Sequence, residues 1–327
     1  MSLKNGTQID TEWFTDKIAA AHTLRHPLLL TDTNAYRLLF GENDGLPSII
    51  CDIYDKVAVL KIYSRSWWPY LTQIKEALLQ VVPLEAIVYR EARILHSHTG
   101  PHTEGEVIFG SLPDPEILFR EHGVRFTAHV VKGHKTGFFL DHRHNRLEVQ
   151  KRSKNKTVLD VFSYAGGFSV HALSGGAREV TSVDISGQAL ELAQKNARLN
   201  NVASRHQVLK GDAFELLERC RHEGRRYDIV IIDPPAMAKA NKEVPRAMRQ
   251  YERLAKLGAD LVKPGGQLML ASCSSRVKTD DFLEMTRRIL KPKGWKEERI
   301  TRHDIDHPVT LEEGWYLKTI WWIRPKI

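Results

Sequence analysis

Cys273 and Asp233 are the two side chains of this sequence best placed to do chemistry. Each follows an apolar run: Gln267-Leu268-Met269-Leu270-Ala271 precedes Ser272-Cys273-Ser274, and Asp228-Ile229-Val230-Ile231-Ile232 precedes Asp233-Pro234-Pro235. Such runs suit strands buried on both faces, and a parallel arrangement would deliver both residues to the same carboxyl edge of a sheet. A thiolate there could add to an electron-poor carbon, but an ordinary cysteine is only about 3% ionised at neutral pH, so its site would have to help. The Asp233 carboxylate could hold a protonated ring nitrogen and an amino group, since the two prolines fix the backbone and bring no competing N–H. The plain alternatives are a packed strand-end thiol and a strand-end cap.

A second set of residues reads as a ligand clamp. Thr157-Val158-Leu159-Asp160-Val161 predicts a buried strand that turns through Phe162-Ser163-Tyr164-Ala165-Gly166-Gly167 into a helix near Phe168. Gly166 and Gly167 let the backbone approach a ligand, and the helix start offers N–H groups to a carboxylate, as at one end of a zwitterionic amino acid. Roughly twenty residues on, Glu179-Val180-Thr181-Ser182-Val183 ends in Asp184-Ile185-Ser186, which puts a carboxylate at a neighbouring strand tip where it could accept both hydroxyls of a ribose. Gln207-Val208-Leu209-Lys210 before Gly211-Asp212-Ala213 repeats the pattern. Asp212 could take an adenine amine, and Ala213 its backbone N–H. A dinucleotide is disfavoured because G-x-G-x-x-G is missing, and Gly133-His134-Lys135-Thr136-Gly137 lacks the glycines of a phosphate loop.

The ordered set resembles the class I S-adenosylmethionine-dependent methyltransferases, and in detail the bacterial large-subunit ribosomal RNA cytosine-5 methyltransferases. The resemblance runs from about residue 31 to the C-terminus. It is carried by Thr33-Asn34-Ala35-Tyr36-Arg37, Asp44-Gly45-Leu46-Pro47, Gly133 to Asp141, Phe162 to Phe168, Asp233-Pro234-Pro235, Ser272-Cys273-Ser274, Asp306-His307-Pro308 and Gly314-Trp315-Tyr316-Leu317-Lys318.

The resemblance implies S-adenosylmethionine as cofactor, held by Asp160, Phe162, Ser163, Tyr164, Gly166, Gly167, Phe168, Asp184, Ile185, Ser186, Asp212, Ala213, Asp233 and Pro234, with Phe139 and Leu140 covering the adenosyl group. It implies substrate contacts from Lys135, Asp141, Arg143 and Pro235, and Cys273 as a nucleophile that adds to carbon 6 of cytosine so that carbon 5 can attack a methyl group. An ordinary linker with core aromatics is the competing reading of Lys135 to Arg146. Two departures stand out. The usual N-terminal RNA-binding domain, of the pseudouridine synthase and archaeosine transglycosylase type, does not fit in the roughly thirty residues before Thr33. Ala236-Met237 stands where Lys-Phe is usual.

Composition bounds the rest. The chain has 327 residues and 42% hydrophobic content, enough for two ordinary cores. Its net charge of +8 favours a polyanionic partner, which the resemblance implies to be ribosomal RNA, with Arg246, Arg249 and Arg253 and the Lys151–Lys156 run as basic clusters, although solvated helix faces also carry such runs. No membrane helix or signal peptide is read, so a cytoplasmic protein is expected. Cys51, Cys220 and Cys273 cannot pair completely and lack metal-ligand spacing, and Cys51 is expected in a core. His96, His98 and His102 lack an organised acidic partner, so no metal is expected. Trp67 and Trp68 could stack bases or fill a core.

The expected fold is α/β: a Rossmann-like sheet with helices on both faces, preceded by a small α+β domain. Residues 1–30 are expected to form a helical extension, 31–130 the small RNA-contacting domain and 131–327 the methyltransferase domain, with late strands near Trp295–Ile300 and Tyr316–Ile323 closing the sheet edge. A homodimer is a further expectation. Two other functions stay open: methylation of an amino group or another nucleobase without a cysteine adduct, and a non-catalytic RNA-binding assembly protein.

Overall fold

The computed structural model describes residues 8–96, 99–133, 135–310 and 314–326. The chain forms two compact units. One runs to Asp141 and takes in Asp304–Thr310, and the other holds His142–His303 with the C-terminal strand. The expected limits at residues 30 and 130 do not coincide with these: the first helix joins the first unit, and the chain passes to the second after Asp141.

In the first unit, α1 (Thr11–Leu29) begins where the Asp10 side chain accepts the Trp13 N–H at 2.9 Å. Its Phe14, Ile18 and Ala21 recur on one face and are buried. Together with α2 (Leu71–Val81), that face helps form the core of a five-stranded sheet in the order β1 (Ala35–Phe40), β2 (Ile49–Tyr54), β3 (Val57–Ile62), β4 (Ala86–Glu91) and β5 (Val107–Gly110). A hairpin of β6 (Glu116–Glu121) and β7 (Val124–His129) follows. Arg25 is fully buried and grips both Asp44 oxygens at 2.6 Å, the paired geometry that makes a buried guanidinium tolerable. Cys51 lies in this core. The Trp67 and Trp68 rings are half-buried against the same core, and their N–H groups donate to the Pro47 carbonyl and the Tyr89 hydroxyl.

The second unit begins with α3 (Arg143–Arg152) and is built on a seven-stranded sheet. In chain order its strands are β8 (Thr157–Val161), β9 (Glu179–Asp184), β10 (His206–Lys210), β11 (Tyr227–Ile232), β12 (Val262–Ser272), β13 (Lys296–Thr301) and β14 (Lys318–Ile323). In space they run β10-β9-β8-β11-β12-β14-β13, so the order reverses between β8 and β11 and ligands are expected at the carboxyl ends there. The helices α4 (Gly167–Ser174), α5 (Gly187–Leu199), α6 (Ala213–His222), α7 (Val244–Leu261) and α8 (Thr279–Leu290) connect the strands and cover both faces. On one face, Leu216 and Leu217 of α6, Leu254 of α7 and Phe282 of α8 close over Leu159, Val230 and Leu268.

β10, β9, β8, β11 and β12 are parallel, while β14 is antiparallel to both its neighbours. Both late strands form, but the last one enters between β12 and β13 rather than lying on the rim. Its sequence explains this: Ile320, Trp321 and Trp322 are all fully buried, which requires cover on both faces, whereas Lys296-Glu297-Glu298-Arg299 of β13 suits an edge.

Candidate active site

The loop after β8 carries a left-handed backbone at Phe162 (φ 66°), Tyr164 (φ 46°) and Gly166 (φ 74°). Two of these residues have side chains that disfavour that region, so the surroundings must hold the turn. The Phe162 and Ser163 N–H groups both donate to the Val183 carbonyl, at 2.9 and 3.0 Å, and the Tyr164 N–H donates to Asp184 Oδ2 at 2.8 Å. Gly166 is required twice over: a Cβ there would lie 2.8 Å from Ala193 Cβ on α5 and would meet the positive φ as well. α4 then starts with no side-chain cap.

Asp160 lies beneath this helix start. Its Oδ2 accepts the Ser169 N–H at 3.0 Å and hydroxyl at 2.6 Å, while its buried Oδ1 has no hydrogen-bond partner among the described residues. Ser163 Oγ is likewise buried and unpartnered. Burial pushes the Asp160 carboxyl up to about 7, and the charges of Asp233 and Asp184 add to the effect against the Ser169 bonds. Three carboxylates thus share one field, an environment that suits a cationic ligand.

Asp184 Oδ1 accepts the Ser186 N–H at 2.9 Å, so both its oxygens are fixed by backbone donors, and a carboxylate retains further lone pairs for ribose hydroxyls. Ile185 is 70% exposed, open to cover by a flat ring. Ser186 caps α5 through the Ala189 N–H. Asp212 caps α6, its Oδ1 accepting from Phe214 and Glu215, with Ala213 buried behind it. Two of the expected contacts therefore also terminate helices.

Asp233 stands at the end of β11 and is partly exposed, with its Oδ1 3.3 Å from His142 Nε2. The His142 tautomer follows from its neighbours. Thr301 donates to Asn145 Oδ1 at 2.5 Å, and the Asn145 amide donates to Thr319 Oγ1 and, at 3.1 Å, to His142 Nδ1. That leaves the imidazole proton on Nε2, facing Asp233. His142 also meets the Phe168 ring edge-on, with centroids 5.3 Å apart.

Cys273 follows β12, which pairs with β11 in register from Gln267 to Leu270, so the thiol reaches the same edge as Asp233. Its Sγ donates to the Pro234 carbonyl at 3.6 Å and is partly exposed, unlike the buried Cys51 and Cys220. The two flanking serines tie the loops together. Ser274 Oγ accepts the Met237 and Ala238 N–H groups at 2.9 and 3.3 Å, and the Tyr251 hydroxyl lies 3.0 Å from both Ser272 Oγ and Ser274 Oγ. The backbone after Asp233-Pro234-Pro235 is thereby stitched to the cysteine loop.

The second unit by itself therefore gathers Asp160, Phe162, Ser163, Tyr164, Gly166, Gly167, Phe168, Asp184, Asp233, Pro234 and Cys273 along one edge. Arg143 is fully buried at the start of α3, and Pro235 is exposed beside Pro234. Lys135, Phe139, Leu140 and Asp141 belong to the first unit, where the Lys135 ammonium sits 4.2 Å over the half-buried Phe139 ring and Leu140 and Asp141 are buried. Sequence reasoning gave no role to His142, Tyr251 or Lys318. His142 lies within the segment expected to line the cleft, and Lys318 within a quoted motif. Tyr251 had no signal beyond its place among the α7 arginines. Among the described residues no cluster of three metal-ligating side chains occurs, His102 pairs with Glu106 at 2.8 Å, and His98 lies outside the described residues.

The strand order, the uncapped glycine turn and the acidic switch point define a Rossmann-like methyltransferase fold. Residues 46–304 match the S-adenosylmethionine-dependent methyltransferase family, and the chain belongs to it. Its methyl donor is S-adenosylmethionine, and the orphaned Asp160 and Ser163 oxygens with the uncapped α4 start are a fitting cradle for its amino acid end. The "Ribosomal RNA large subunit methyltransferase" of Deinococcus radiodurans is 40% identical over 325 residues, covering 96% of this chain and 79% of that protein. The "Ribosomal RNA large subunit methyltransferase I" of Erwinia tasmaniensis is 35% identical, over 97% of this chain and 82% of its own length. In fold, the crystal structure of SMU.776 complexed with SAH superposes with a TM-score of 0.86 at 24% identity, covering 98% of this chain and 83% of that one. No helix among the described residues is long and apolar enough to cross a membrane.

Proposed function

We propose that this protein methylates carbon 5 of a cytosine in large-subunit ribosomal RNA through a covalent adduct on Cys273. The observation that carries this is the position of the thiol: partly exposed, at the carboxyl edge of the sheet, against the Pro234 carbonyl and tied to the Asp233 loop. The rRNA substrate is supported by the two relatives, and by Arg246, Arg249 and Arg253, which line a groove on α7 and could grip phosphates.

S-adenosylmethionine supplies an electrophilic methyl carbon. Asp184, Ile185 and Asp212 would hold its nucleoside, and the loop from Phe162 to Phe168 its amino acid end. The Cys273 thiolate adds to carbon 6 of the cytosine, breaking the 5,6 double bond and moving an electron pair toward carbon 5. Asp233, whose Oδ1 lies 3.3 Å from His142 Nε2, would hold the protonated ring nitrogen and the amino group as charge shifts into the ring. Carbon 5 would then bond to the methyl carbon as its bond to the sulfonium sulfur breaks, leaving a neutral thioether; the carbon-5 proton leaves to solvent and the thiolate is expelled, which restores the double bond and the free cysteine.

The test uses large-subunit RNA fragments transcribed with 5-fluorocytosine. Fluorine at carbon 5 cannot leave as a proton, so the adduct should persist as an RNA-linked band on a denaturing gel, absent with Cys273→Ala. Methyl transfer to unmodified RNA with no trapped band on the fluorinated RNA rejects the adduct and favours a mechanism without it.

A further inference from the structure

The cysteine loop rests on a buried positive charge. Lys318 opens β14 directly opposite Ser272, the residue before Cys273, and its side chain is fully buried. Its ammonium donates to the carbonyls of Ser274 at 2.7 Å and Val277 at 2.5 Å, both just after the cysteine, while its backbone pairs with Ser272 just before it. Two carbonyls leave a third N–H direction of the ammonium to satisfy.

Burying an ammonium costs several kcal/mol unless an opposite charge offsets it, and such groups are normally found paired with a carboxylate. Among the described residues no carboxylate pairs with Lys318. A methionine of similar length would fill the same space without that cost, so packing alone does not account for the charge.

The neighbouring group that can ionise to supply an offsetting negative charge is the Cys273 thiol. Burial pulls the Lys318 ammonium down to about 8, and the Cys273 charge acts against that shift. The Tyr251 phenol also senses Cys273, and burial pushes it further up, so it stays neutral. The contact with the Pro234 carbonyl favours the protonated thiol, since a carbonyl oxygen accepts from S–H and repels S⁻.

We propose that Lys318 is a positioning residue for Cys273: a buried cation that stabilises its thiolate and clamps the loop that presents it. The thiol proton goes to water and not to Lys318, which is an ammonium at neutral pH. The inference rests on Cys273 being the nucleophile, and the experiment separates the two claims.

The rate of iodoacetamide alkylation at Cys273 is measured against pH by peptide mass spectrometry in the full chain, with the buried Cys51 and Cys220 as internal references. In the wild type the midpoint should lie below the ordinary cysteine value of about 8.5. Lys318→Met should raise it by about one unit or more, slowing alkylation roughly tenfold at pH 7, and Lys318→Arg should restore most of the rate. Cofactor affinity of Lys318→Met, measured by calorimetry, should stay within about twofold if only the thiol is affected. A folded Lys318→Met protein with an unchanged midpoint overturns the proposal. Should that variant fail to fold, a wild-type midpoint at or above about 8.5 overturns it equally. A shifted midpoint without RNA trapping would keep the cation's role and remove the cytosine adduct.

Discussion

The loop after β8 and the loop after β12 lie on the same sheet edge but are built in opposite ways. The first is held by its backbone: three left-handed residues, two N–H groups on one carbonyl, and a glycine pressed against α5. It leaves Asp160 Oδ1 and Ser163 Oγ buried without hydrogen-bond partners among the described residues. The second is held by side chains, with Ser272, Ser274 and Tyr251 hydrogen-bonded to one another and Lys318 closing the loop from below. A binding loop can leave groups unsatisfied because its ligand completes them, whereas a loop that presents a nucleophile must be finished in advance so that the thiol points one way.

The largest expected effect breaks the comparison on the cysteine side. Cys273→Ala should lower methyl transfer by at least about a thousandfold, the scale on which removing a nucleophile acts, while cofactor affinity by calorimetry is unchanged. On the binding side, Asp184→Ala removes two charged acceptors of backbone N–H groups. Affinity for S-adenosylmethionine should fall by about 30- to 100-fold, or about 2–3 kcal/mol, and retained affinity would remove Asp184 from the site.

Gly166→Ala sharpens the claim that the first loop is a backbone device. The positive φ and the 2.8 Å approach to Ala193 should cost about 2 kcal/mol in denaturant unfolding and weaken cofactor binding with it. The gentlest effect is a slope. The folded-state value of Asp160 lies above its ordinary 3.8, at about 7, because burial penalises the charged form. The folded state therefore keeps the proton that the unfolded chain loses. Its stabilising effect is complete below the ordinary value and declines as pH rises to about 7, by at most about 1.4 kcal/mol per unit. Thermal unfolding of the cofactor-free protein from pH 4 to 8 should show this decline, and Asp160→Asn should flatten it.

Much of the fold was legible because the signals were local. Apolar five-residue runs closed by Asp160-Val161, Asp184, Lys210-Gly211-Asp212 and Asp233 announce parallel strands with loops at one edge, and each did form a strand in the second unit. The rim was less legible: both late strands were visible, but their order depended on which could tolerate water on one side. At the site, the acidic residues and Cys273 were visible as strand-end types. Their supports were not, because Tyr251 sits mid-helix in a run that looks like a solvated basic face, and Lys318 lies forty-five residues beyond Cys273 in the sequence.

The sequence by itself determined the strands, the glycine turn and the chemical identity of the groups at their ends, since these follow from side-chain type and spacing along a few residues. Only the tertiary structure decided that β14 slips between β12 and β13. That choice is set by burial of Trp321 and Trp322 on both faces of the sheet, a non-local requirement, and it is what brings the buried Lys318 against the cysteine loop.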